Sequence, residues 1–304
     1  MMQKRQGILL AATMFVLLGS GCQSDNTNGN IKFFYSAIED GDYYEDWASQ
    51  LQEHATLYDA SFDVGYAQNS VETQDAQIKN AAVDGCNVFL CGLVSPDTVT
   101  EDRALEKDRY IYVASDEFMA GQYQAEYVLE KFGQKQEINV VILKGPKDAS
   151  GAIGRTKGLK QTLKASGKKI NYVFEDYADW NSEKAQEMMQ LFLRTGQSID
   201  CVAANNDDMA LGALAAFEER GLDTSTILFL GVDASVGGCQ AIAEGRMDFT
   251  VYQPTAAQIT SAVEAANRLA CGKSIADMEG ASEDGKYILI PFEKVDSQNV
   301  AQYR

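Results

Sequence analysis

The sequence is poor in histidine, and this shortage excludes several kinds of chemistry. The only histidine, His54, falls within a helical pattern, so a histidine-based catalytic dyad would have to use this residue and a histidine-rich metal site lacks a second histidine. The acidic residues form no D-x-[DN]-x-[DN]-G segment, which excludes a calcium loop of that kind. We therefore expect no catalytic residue, no metal and no cofactor, and we predict that the chain is not an enzyme.

The sequence also lacks a complete phosphate-binding motif. The stretch GPKDASGAIGRTKG (145–158) is rich in glycine and stands between a strand pattern and a helix pattern. It has neither the GK[ST] ending of a P-loop nor the G-x-G-x-x-G spacing of a dinucleotide site. The pattern therefore gives little support to nucleotide binding.

Positive charge is scarce as well. The chain has 26 basic and 44 acidic residues, a formal net charge of −18. Without Lys4 and Arg5 the balance is 24 basic against 44 acidic residues, a net charge of −20. Such a surface repels nucleic acid and anionic lipid. We therefore exclude nucleic acid as a partner and interpret the charge as a source of solubility.

The cysteines show no pattern of disulfide pairing. Beyond Cys22 the number is odd and contains no CxxC pair, whereas exported proteins built on disulfides usually carry an even set. Most of these residues stand beside apolar neighbours, where a free cysteine behaves as a small apolar side chain. We predict buried thiols among Cys86, Cys91, Cys201, Cys239 and Cys271.

The N-terminus has the pattern of an export signal. Lys4 and Arg5 precede an apolar run over 8–18, which is too short to span a membrane. The run ends in LLGSGC, which resembles the lipobox of bacterial lipoproteins, in which the cysteine is lipidated. We predict a signal peptide over 1–21 that is not part of the fold, a lipidated Cys22 and a polar tether over 22–30. An ordinary cleaved signal with an unmodified Cys22 is the alternative.

From Ile31 onward, short apolar runs alternate with helical patterns, which predicts βαβ units and doubly wound parallel sheets. At 304 residues the chain is long enough for two domains. Strands are expected at 31–36, 61–67, 87–91, 110–114, 138–144, 170–175, 199–204, 227–232 and 248–252. Helices are expected at 44–58, 119–132, 155–166, 183–194, 209–220 and 256–270.

Polar and aromatic side chains follow these strands directly. In a parallel sheet the positions after the strands share one edge, where ligands bind. Carboxylates and amides there would bind hydroxyl groups, and a ring would hold the apolar face of a sugar. The residues in question are Asp116, Asn205, Asn206, Asp233, Gln253, Tyr43, Tyr44 and Trp180.

Four motifs in order carry a family resemblance: IGRTKGL, VAANNDDMALGALAAF, FLGVDA and CQAIAEGRMDFTVYQP. Together they resemble the type I periplasmic sugar-binding proteins of the ribose and galactose/glucose kind. The resemblance implies an α/β protein of two similar doubly wound parallel-sheet lobes joined by a three-strand hinge. Its crossovers would lie near 115–116, 253–254 and 284–286, giving lobes 31–114 plus 254–284 and 116–252 plus 286–304.

The resemblance also implies roles for single residues. Asn206 and Asp233 would bind hydroxyls, Arg155 would bind a ring or hydroxyl oxygen, and Gln253 would lie at the hinge within reach of the sugar. Trp180 and Tyr43 would stack on the two sugar faces, although Trp180 also suits plain packing. Tyr44 fits either pocket or core, Asp116 is expected at the first crossover, and Asp207 is expected to be the N-cap of the helix that follows.

The sequence departs from the family pattern in two places. Gly92 stands where the family usually has an asparagine ligand after the third strand. Only twelve residues, 98–109, replace a helix, a strand and their loops, which is too short a segment. We therefore predict that one βα unit is missing, so that the sheet must close up or leave backbone groups unpaired.

The function implied by the resemblance is capture of a monosaccharide of the glucose/galactose, xylose or ribose type outside the membrane. The expected partner is an ABC-type import permease, with membrane attachment through the lipid anchor alone and a monomeric state. Two alternatives stay open: signalling to a membrane sensor kinase or chemoreceptor, and a non-sugar ligand such as a nucleoside. A sugar-responsive repressor would need a basic helix-turn-helix where this chain has its export signal.

Overall fold

The computed structural model describes residues 14–18, 31–94 and 110–303, which form two compact units. The first unit contains 14–18, 31–94, 110–115 and 254–291. The second contains 116–253 and the C-terminal residues from Phe292. The chain passes from one unit to the other after Ser115, after Gln253 and after Pro291.

Most of the observed strands coincide with the apolar runs of the sequence. Those among the described residues are β1 (Met14–Leu18), β2 (Lys32–Ala37), β3 (Ser61–Tyr66), β4 (Val88–Gly92), β5 (Tyr110–Ala114), β6 (Glu137–Lys144), β7 (Lys169–Tyr177), β8 (Cys201–Ala204), β9 (Leu228–Leu230), β10 (Phe249–Tyr252), β11 (Tyr287–Leu289) and β12 (Glu293–Asp296). The sequence patterns did not predict β1, β11 and β12.

The predicted helices begin earlier than the apolar periodicity indicates, by one residue at Thr255 and by five at Ser150. They are α1 (Asp42–Thr56), α2 (Val71–Val83), α3 (Glu117–Lys131), α4 (Ser150–Ala165), α5 (Ser182–Phe192), α6 (Asp207–Glu219), α7 (Val236–Ala243) and α8 (Thr255–Ala270). The sequence patterns did not predict α2 and α7. Both are capped by a serine whose hydroxyl accepts a backbone N–H, Ser70 from Thr73 and Ser235 from Gly238.

The second unit is a six-stranded sheet in the order β12-β10-β9-β8-β6-β7. Its strands are parallel except β12, which runs antiparallel to β10. Along β6, Ile138, Val140 and Ile142 pack toward α3 and α4, whereas Val141 and Leu143 pack toward the α5 to α7 side. Burial on both faces explains why the strand reads as an uninterrupted apolar run.

The sheet of the first unit has the order β11-β5-β1-β4-β2-β3. β2 is parallel to β3 and β4, and β11 is parallel to β5. β1 lies between β4 and β5 and is antiparallel to both, with Val16 opposite Leu90 on one side and Ile111 on the other. β1, an apolar segment near the N-terminus, thus lies between β4 and β5 of the first unit and separates them by one strand width.

This position of β1 bears on two expectations. Residues 1–21 were expected to lie outside the fold; in the uncleaved chain Met14–Leu18 form a central strand, and removal of 1–21 on export stays a prediction. The sheet was expected to close up or to leave backbone groups unpaired where a βα unit is missing, and instead β1 pairs with both neighbouring strands. The physical reason is that β4 and β5 would otherwise each expose a row of unpaired N–H and C=O groups. The short segment 98–109 itself lies outside the described residues.

The third crossover is also corrected. It was expected near 284–286, which would put residues 286–304 in the second unit. The structure places β11 in the sheet of the first unit, where Tyr287 is paired with Tyr112, and the chain crosses after Pro291. β11 therefore pairs its backbone with β5 before the chain passes to the second unit.

Of the five described cysteines, four are buried and Cys271 is exposed, and none is in a disulfide. Burial raises the pKa of the Cys91 thiol to about 12. This agrees with the prediction of buried thiols, except at Cys271. Cys22 lies outside the described residues.

Candidate functional site

The candidate site is the edge of the second unit at which its parallel strands end. The residues that follow these strands are Gly145 after β6, Trp180 after β7, Asn205 and Asn206 after β8, Asp233 after β9, and Gln253 after β10. Parallel strands bring their carboxyl ends to one side, which is where open α/β sheets bind ligands. The strand topology therefore accounts for the convergence of these side chains.

Close packing of α3 against α4 sets the position of Arg155. A side chain at Gly121 would overlap the backbone carbonyl of Arg155, and one at Gly158 would overlap that of Phe118. The two glycines therefore let the helix backbones touch, which brings Glu117 at the start of α3 beside Arg155 in the first turns of α4. The guanidinium is buried as a result, with 2% of its side chain exposed.

Arg155 connects residues from four segments of the second unit. Its Nε donates to Glu117 Oε2 at 2.7 Å, and its Nη1 donates to the carbonyl oxygen of Asn205 at 2.7 Å. Longer contacts run from Nη1 to Asp233 Oδ1, 3.4 Å, and from Nη2 to Gln253 Oε1, 3.3 Å. Although burial alone would lower the pKa of Arg155, the neighbouring carboxylates Glu117 and Asp233 raise it, so the group stays cationic.

Asp233 occupies a strained loop. Its φ is 112° and that of Ala234 is 50°, conformations that non-glycine residues rarely adopt. The Asp233 backbone N–H donates to the Val251 carbonyl at 2.7 Å, which ties the loop to β10. Burial raises the pKa of the Asp233 carboxyl to about 7, and the positive charge of Arg155 opposes that rise. Strain of this kind concentrates at functional sites, where the surroundings hold it.

The structure gives the helix cap that was expected at Asp207 to Asn206. Asn206 is the N-cap of α6, because its Oδ1 accepts the Met209 N–H at 3.0 Å. Asp207 was expected to be that cap, and it is instead the first helical residue, with a fully buried side chain. The cap falls one residue earlier than expected because Asn206 has the extended backbone that a cap requires and Asp207 is already helical.

The buried Asp207 carboxyl group holds the Asp233 loop through hydrogen bonds. Its Oδ2 accepts the Ser235 N–H at 2.7 Å, and its Oδ1 accepts the Thr250 hydroxyl at 2.6 Å. Thr250 Oγ1 in turn accepts the Ala234 N–H at 3.2 Å. Burial and the nearby charge of Asp233 raise the pKa of Asp207 to about 8. Asp207 thus binds the backbone of the strained loop directly and through Thr250.

Trp180 lies beside Arg155, and only 5% of it is exposed. The guanidinium carbon of Arg155 is 5.7 Å from the centroid of the indole ring. Trp180 follows Asp179, and both have positive φ values, 60° and 52°. The next residue, Asn181, caps α5 by accepting the Lys184 N–H at 2.7 Å. The turn between β7 and α5 therefore holds the indole at the strand edge.

In the first unit, Tyr43 and Tyr44 lie in the first turn of α1. Tyr43 is half-buried, and its ring meets Tyr44 edge-on at 5.2 Å and approaches Trp47 at 6.0 Å. Tyr44 is 4% exposed, and burial, then the charge of Glu39, raises the pKa of its phenol well above the ordinary value. Tyr44 is therefore part of the core of α1, and Tyr43 is the more accessible ring of the pair.

The buried side chain of Gln74 holds the backbone at the end of β4, near Gly92. Gln74 Nε2 donates to the Gly92 carbonyl at 2.8 Å and to Ser36 Oγ at 3.1 Å, while its Oε1 accepts the Val94 N–H at 3.0 Å. A side-chain amide from α2 thus holds the end of β4. Asp116, expected at the first crossover, is exposed and caps α3 by accepting the Phe118 N–H at 3.0 Å.

His54 has structural partners. Its Nδ1 is 2.9 Å from the Gln50 carbonyl, and its Nε2 is 3.0 Å from Thr260 Oγ1 on α8. Across residues 14–18, 31–94 and 110–303, no group of three His, Cys, Asp or Glu side chains is arranged to hold a metal ion. No helix in the same residues is long and apolar enough to cross a membrane.

The structure brings four of the six predicted ligand residues into contact and places a fifth next to them. Arg155 contacts Asp233, Gln253 and the ring of Trp180, and Asn206 follows the Asn205 carbonyl that Arg155 binds. Tyr43 belongs to the first unit and is described there alone. Sequence reasoning missed Glu117, although its place after Asp116 at the end of β5 in VASDE was a usable signal.

Comparisons with known proteins agree with this architecture. Residues 31–274 match the model of a family described as a periplasmic binding protein domain. The ribose import binding protein RbsB of Escherichia coli is 26% identical over 258 residues, which cover 80% of this chain and 82% of that protein. The xylitol-binding protein of Mycolicibacterium smegmatis is 29% identical over 226 residues, which cover 69% of this chain and 63% of that protein.

A solved structure shows the same fold. An ABC transporter solute binding protein from Bacillus halodurans, crystallised with bound myo-inositol, superposes with a TM-score of 0.74 and 26% identity. The match covers 92% of this chain and 99% of that one.

Proposed function

Because the chain belongs to the periplasmic binding protein domain family, we propose that it is an extracytoplasmic solute-binding protein that captures a monosaccharide for an ABC-type importer. Relatives are named for ribose and xylitol, and a similar structure holds myo-inositol. These ligands share a compact polyhydroxylated skeleton. We therefore assign the candidate site to a monosaccharide or a polyol of similar size.

One observation carries this proposal: a buried guanidinium, Arg155, lies among strand-end groups of both hydrogen-bonding kinds. Asp233 accepts hydrogen bonds, and the Gln253 amide both accepts and donates. A hydroxyl group also donates and accepts, so a sugar can satisfy carboxylate, amide and guanidinium at once. Hydrogen bonds to charged groups are worth about 1.5–3 kcal/mol each, which makes them the main source of selectivity.

The proposed roles follow from this chemistry. Asp233 accepts from sugar hydroxyls, Arg155 donates to a ring or hydroxyl oxygen, and Gln253 exchanges hydrogen bonds with a hydroxyl. Trp180 offers its ring to the apolar C–H face of the sugar, and a ring contact of this kind buries enough apolar area for about 1 kcal/mol. Asn206 caps α6 through Oδ1, so any role in binding falls to its amide nitrogen. Tyr43 is the proposed second ring.

We further propose that the ligand is released unchanged to a permease, since the polar groups of the site suit binding and no nucleophile and base pair stands out in the sequence. The LLGSGC pattern supports attachment to the membrane through a lipidated Cys22 after removal of 1–21. Recovery of the bound sugar unaltered, and a mass increase of the mature protein by a diacylglyceryl group, are the corresponding observations.

Thermal unfolding of the chain against a ligand panel tests the central proposal. The panel contains pentoses, hexoses, polyols, nucleosides and amino acids. A ligand that binds only the folded state, at about 100 times its Kd, adds about 2.7 kcal/mol, which moves the transition by several degrees. A rise with one or two sugars or polyols supports the proposal. A rise with nucleosides or amino acids alone contradicts the assignment to sugars.

A matched pair of variants shows whether the stabilisation comes from this edge of the second unit. In Asp233→Asn the same sugar should give a much smaller rise. In Asp75→Asn, which changes an exposed carboxylate on α2, the rise should be that of the wild type.

A further inference from the structure

Two hydrogen-bond donors at the candidate site are buried and unpartnered among the described residues. They are Trp180 Nε1 and Asn205 Nδ2. The residues are 5% and 1% exposed. Folded proteins leave few buried donors without an acceptor, because the lost hydrogen bond to water is costly. Each of these donors therefore needs a physical explanation.

The orientation of the Asn205 amide is determined by its neighbours. Its Oδ1 accepts the Gly145 N–H at 3.2 Å and the Thr156 hydroxyl at 3.2 Å. A backbone N–H only donates, so exchanging the oxygen and nitrogen of this amide would set one donor against another. The unpartnered atom is therefore the nitrogen, which carries two hydrogens.

The indole of Trp180 is held in place by its backbone and by Gly145. The turn that carries it has two consecutive residues in the left-handed region, Asp179 and Trp180. A side chain at Gly145 would overlap Cε2, Cζ2 and Cη2 of the indole at nearly equal distances, so the glycine abuts the ring face. The ring therefore keeps its buried position only while residue 145 lacks a side chain, and the strained turn fixes where Nε1 lies.

Both donors belong to the side of the site formed by Arg155. Arg155 Nη1 donates to the Asn205 carbonyl at 2.7 Å, and its guanidinium faces the Trp180 ring. Gly145 contacts both residues, through its N–H and through the ring face. The unpartnered groups on this side of the site are N–H donors, whereas an ionised Asp233 only accepts. A ligand that contacts both sides would meet opposite hydrogen-bonding character.

We propose that Asn205 Nδ2 and Trp180 Nε1 donate hydrogen bonds to oxygen atoms of the bound sugar and determine specificity there. The inference rests on the proposed function and deepens it. Because these groups only donate, the oxygen they meet needs no hydrogen of its own. A ring oxygen, a methoxy oxygen or a keto oxygen serves as well as a hydroxyl, whereas a deoxy analogue lacks the acceptor.

Nuclear magnetic resonance of the indole N–H groups tests the role of Trp180. The chain has two tryptophans, Trp47 and Trp180, so Trp180→Phe identifies the resonance. The probe is whichever of D-ribose, D-xylose, D-glucose, D-galactose and myo-inositol raises the melting temperature of the wild type most. At saturation the Trp180 N–H resonance should move downfield. Trp180→Phe keeps an aromatic ring, and we expect its affinity to be about 2- to 10-fold weaker.

Asn205→Asp tests the second donor. The change keeps Oδ1 for Gly145 and Thr156 and replaces the N–H groups by an acceptor, so affinity should fall at least about 10-fold. Thr156→Val is the matched control, because it removes the hydrogen bond from the Thr156 hydroxyl to Asn205 Oδ1 and leaves Nδ2 unchanged. It should bind nearly as the wild type does.

Monodeoxy and O-methyl analogues of the same probe separate contact from general weakening. At one position the O-methyl sugar should bind better than the deoxy sugar. Trp180→Phe or Asn205→Asp should not weaken the affinity for that deoxy sugar any further. The proposal is wrong if the indole resonance is unmoved and both variants bind as the wild type, or if Thr156→Val weakens binding as much as Asn205→Asp. Binding of no probe to the wild type would overturn the proposed function and this inference with it.

Discussion

The Nε atom of Arg155 and the Oε2 atom of Glu117 form an ion pair of 2.7 Å between two helices whose backbones touch. Only 2% of the arginine side chain and 14% of the glutamate side chain are exposed. This pair fixes the plane of the guanidinium, from which the other two nitrogens reach Asn205, Asp233 and Gln253.

Removing Glu117 should destabilise the second unit. Glu117→Ala leaves the buried Arg155 without its shortest ion pair, and loss of one partner of a buried pair costs about 3–5 kcal/mol. The melting temperature should fall by roughly 6 °C or more. Asp75→Ala, which breaks the exposed pair with Lys79, serves as the control and should change stability by less than about 0.5 kcal/mol. Equal effects of the two changes would mean that Arg155 is held by its other contacts.

Asp233→Asn should remove sugar affinity and spare the fold. The change keeps the shape and suits the positive φ of the loop, but it replaces a carboxyl group whose ionised form accepts hydrogen bonds worth about 1.5–3 kcal/mol each. We expect affinity to fall about 10- to 100-fold in calorimetric titrations. The melting temperature of the unliganded variant should stay within about 3 °C of the wild type. Intact binding with a large loss of stability would make Asp233 a loop residue only.

Thr250→Val should weaken binding although Thr250 lies beneath the loop. The change removes the hydroxyl that donates to Asp207 and accepts from the Ala234 N–H. The strained Asp233 loop then loses one of its two connections to Asp207, so we expect affinity to drop about 10-fold and stability by about 1–2 kcal/mol. Thr250→Ser keeps the hydroxyl and should retain binding. Failure of the serine to do so would show that the methyl group matters instead.

The unliganded chain should lose stability between pH 5 and pH 8. Asp207 and Asp233 have folded-state pKa values of about 8 and about 7, above the ordinary value near 3.8. A folded state that holds protons which the unfolded state has released loses stability as pH rises toward those values. The expected loss is about 1–3 kcal/mol per group. Melting temperatures measured from pH 5 to pH 8 should fall for the wild type.

The same pH series in Asp233→Asn and Asp207→Asn checks the assignment. Each variant should show a flatter dependence, since one proton fewer is taken up by the folded state. Carboxyls with lowered pKa values, such as Glu126 and Glu175, titrate below this window and leave it unaffected. An unchanged slope in both variants would assign the dependence to other groups.

The fold was predictable because central strands such as β4, β6 and β8 are buried on both faces. Runs such as INVVILK on β6 read as continuous apolar stretches, and their ends mark the site edge. The family resemblance drawn from four motifs is confirmed by the match over residues 31–274. β12 was missed because Glu293 and Lys294 are exposed at the sheet edge and interrupt the apolar pattern.

Details of the site were less predictable, because they depend on backbone geometry. The sequence NNDD offers four possible caps, and only the observed dihedrals show that Asn206 takes this role and Asp207 turns inward. Glu117 was overlooked because its partner Arg155 is 38 residues away and the two meet only through helix packing. The pairing of β1 was unpredictable for a similar reason, since an apolar N-terminal run has the same pattern in a signal peptide and in a buried strand.

The position of β1 leads to a prediction about processing. Every residue in the middle of a central strand pairs with one neighbouring strand or the other, so Val16→Pro removes a ladder hydrogen bond between β4 and β5. The bond that is lost is one that β1 makes to β4 or to β5. We expect this change to lower the melting temperature of the full chain by several degrees and to speed hydrogen exchange of the Val88–Gly92 amides. The control variant Thr27→Pro, which falls in the predicted tether, should change neither.

The chain without residues 1–22 is the informative comparison, because cleavage before Cys22 would also withdraw β1. If β1 contributes as the structure indicates, this shortened chain should melt near the temperature of Val16→Pro. If the shortened chain melts with the unaltered full chain instead, then β4 and β5 can satisfy their edges without β1. In that case removal of the signal segment and attachment through Cys22 would cost the folded protein nothing.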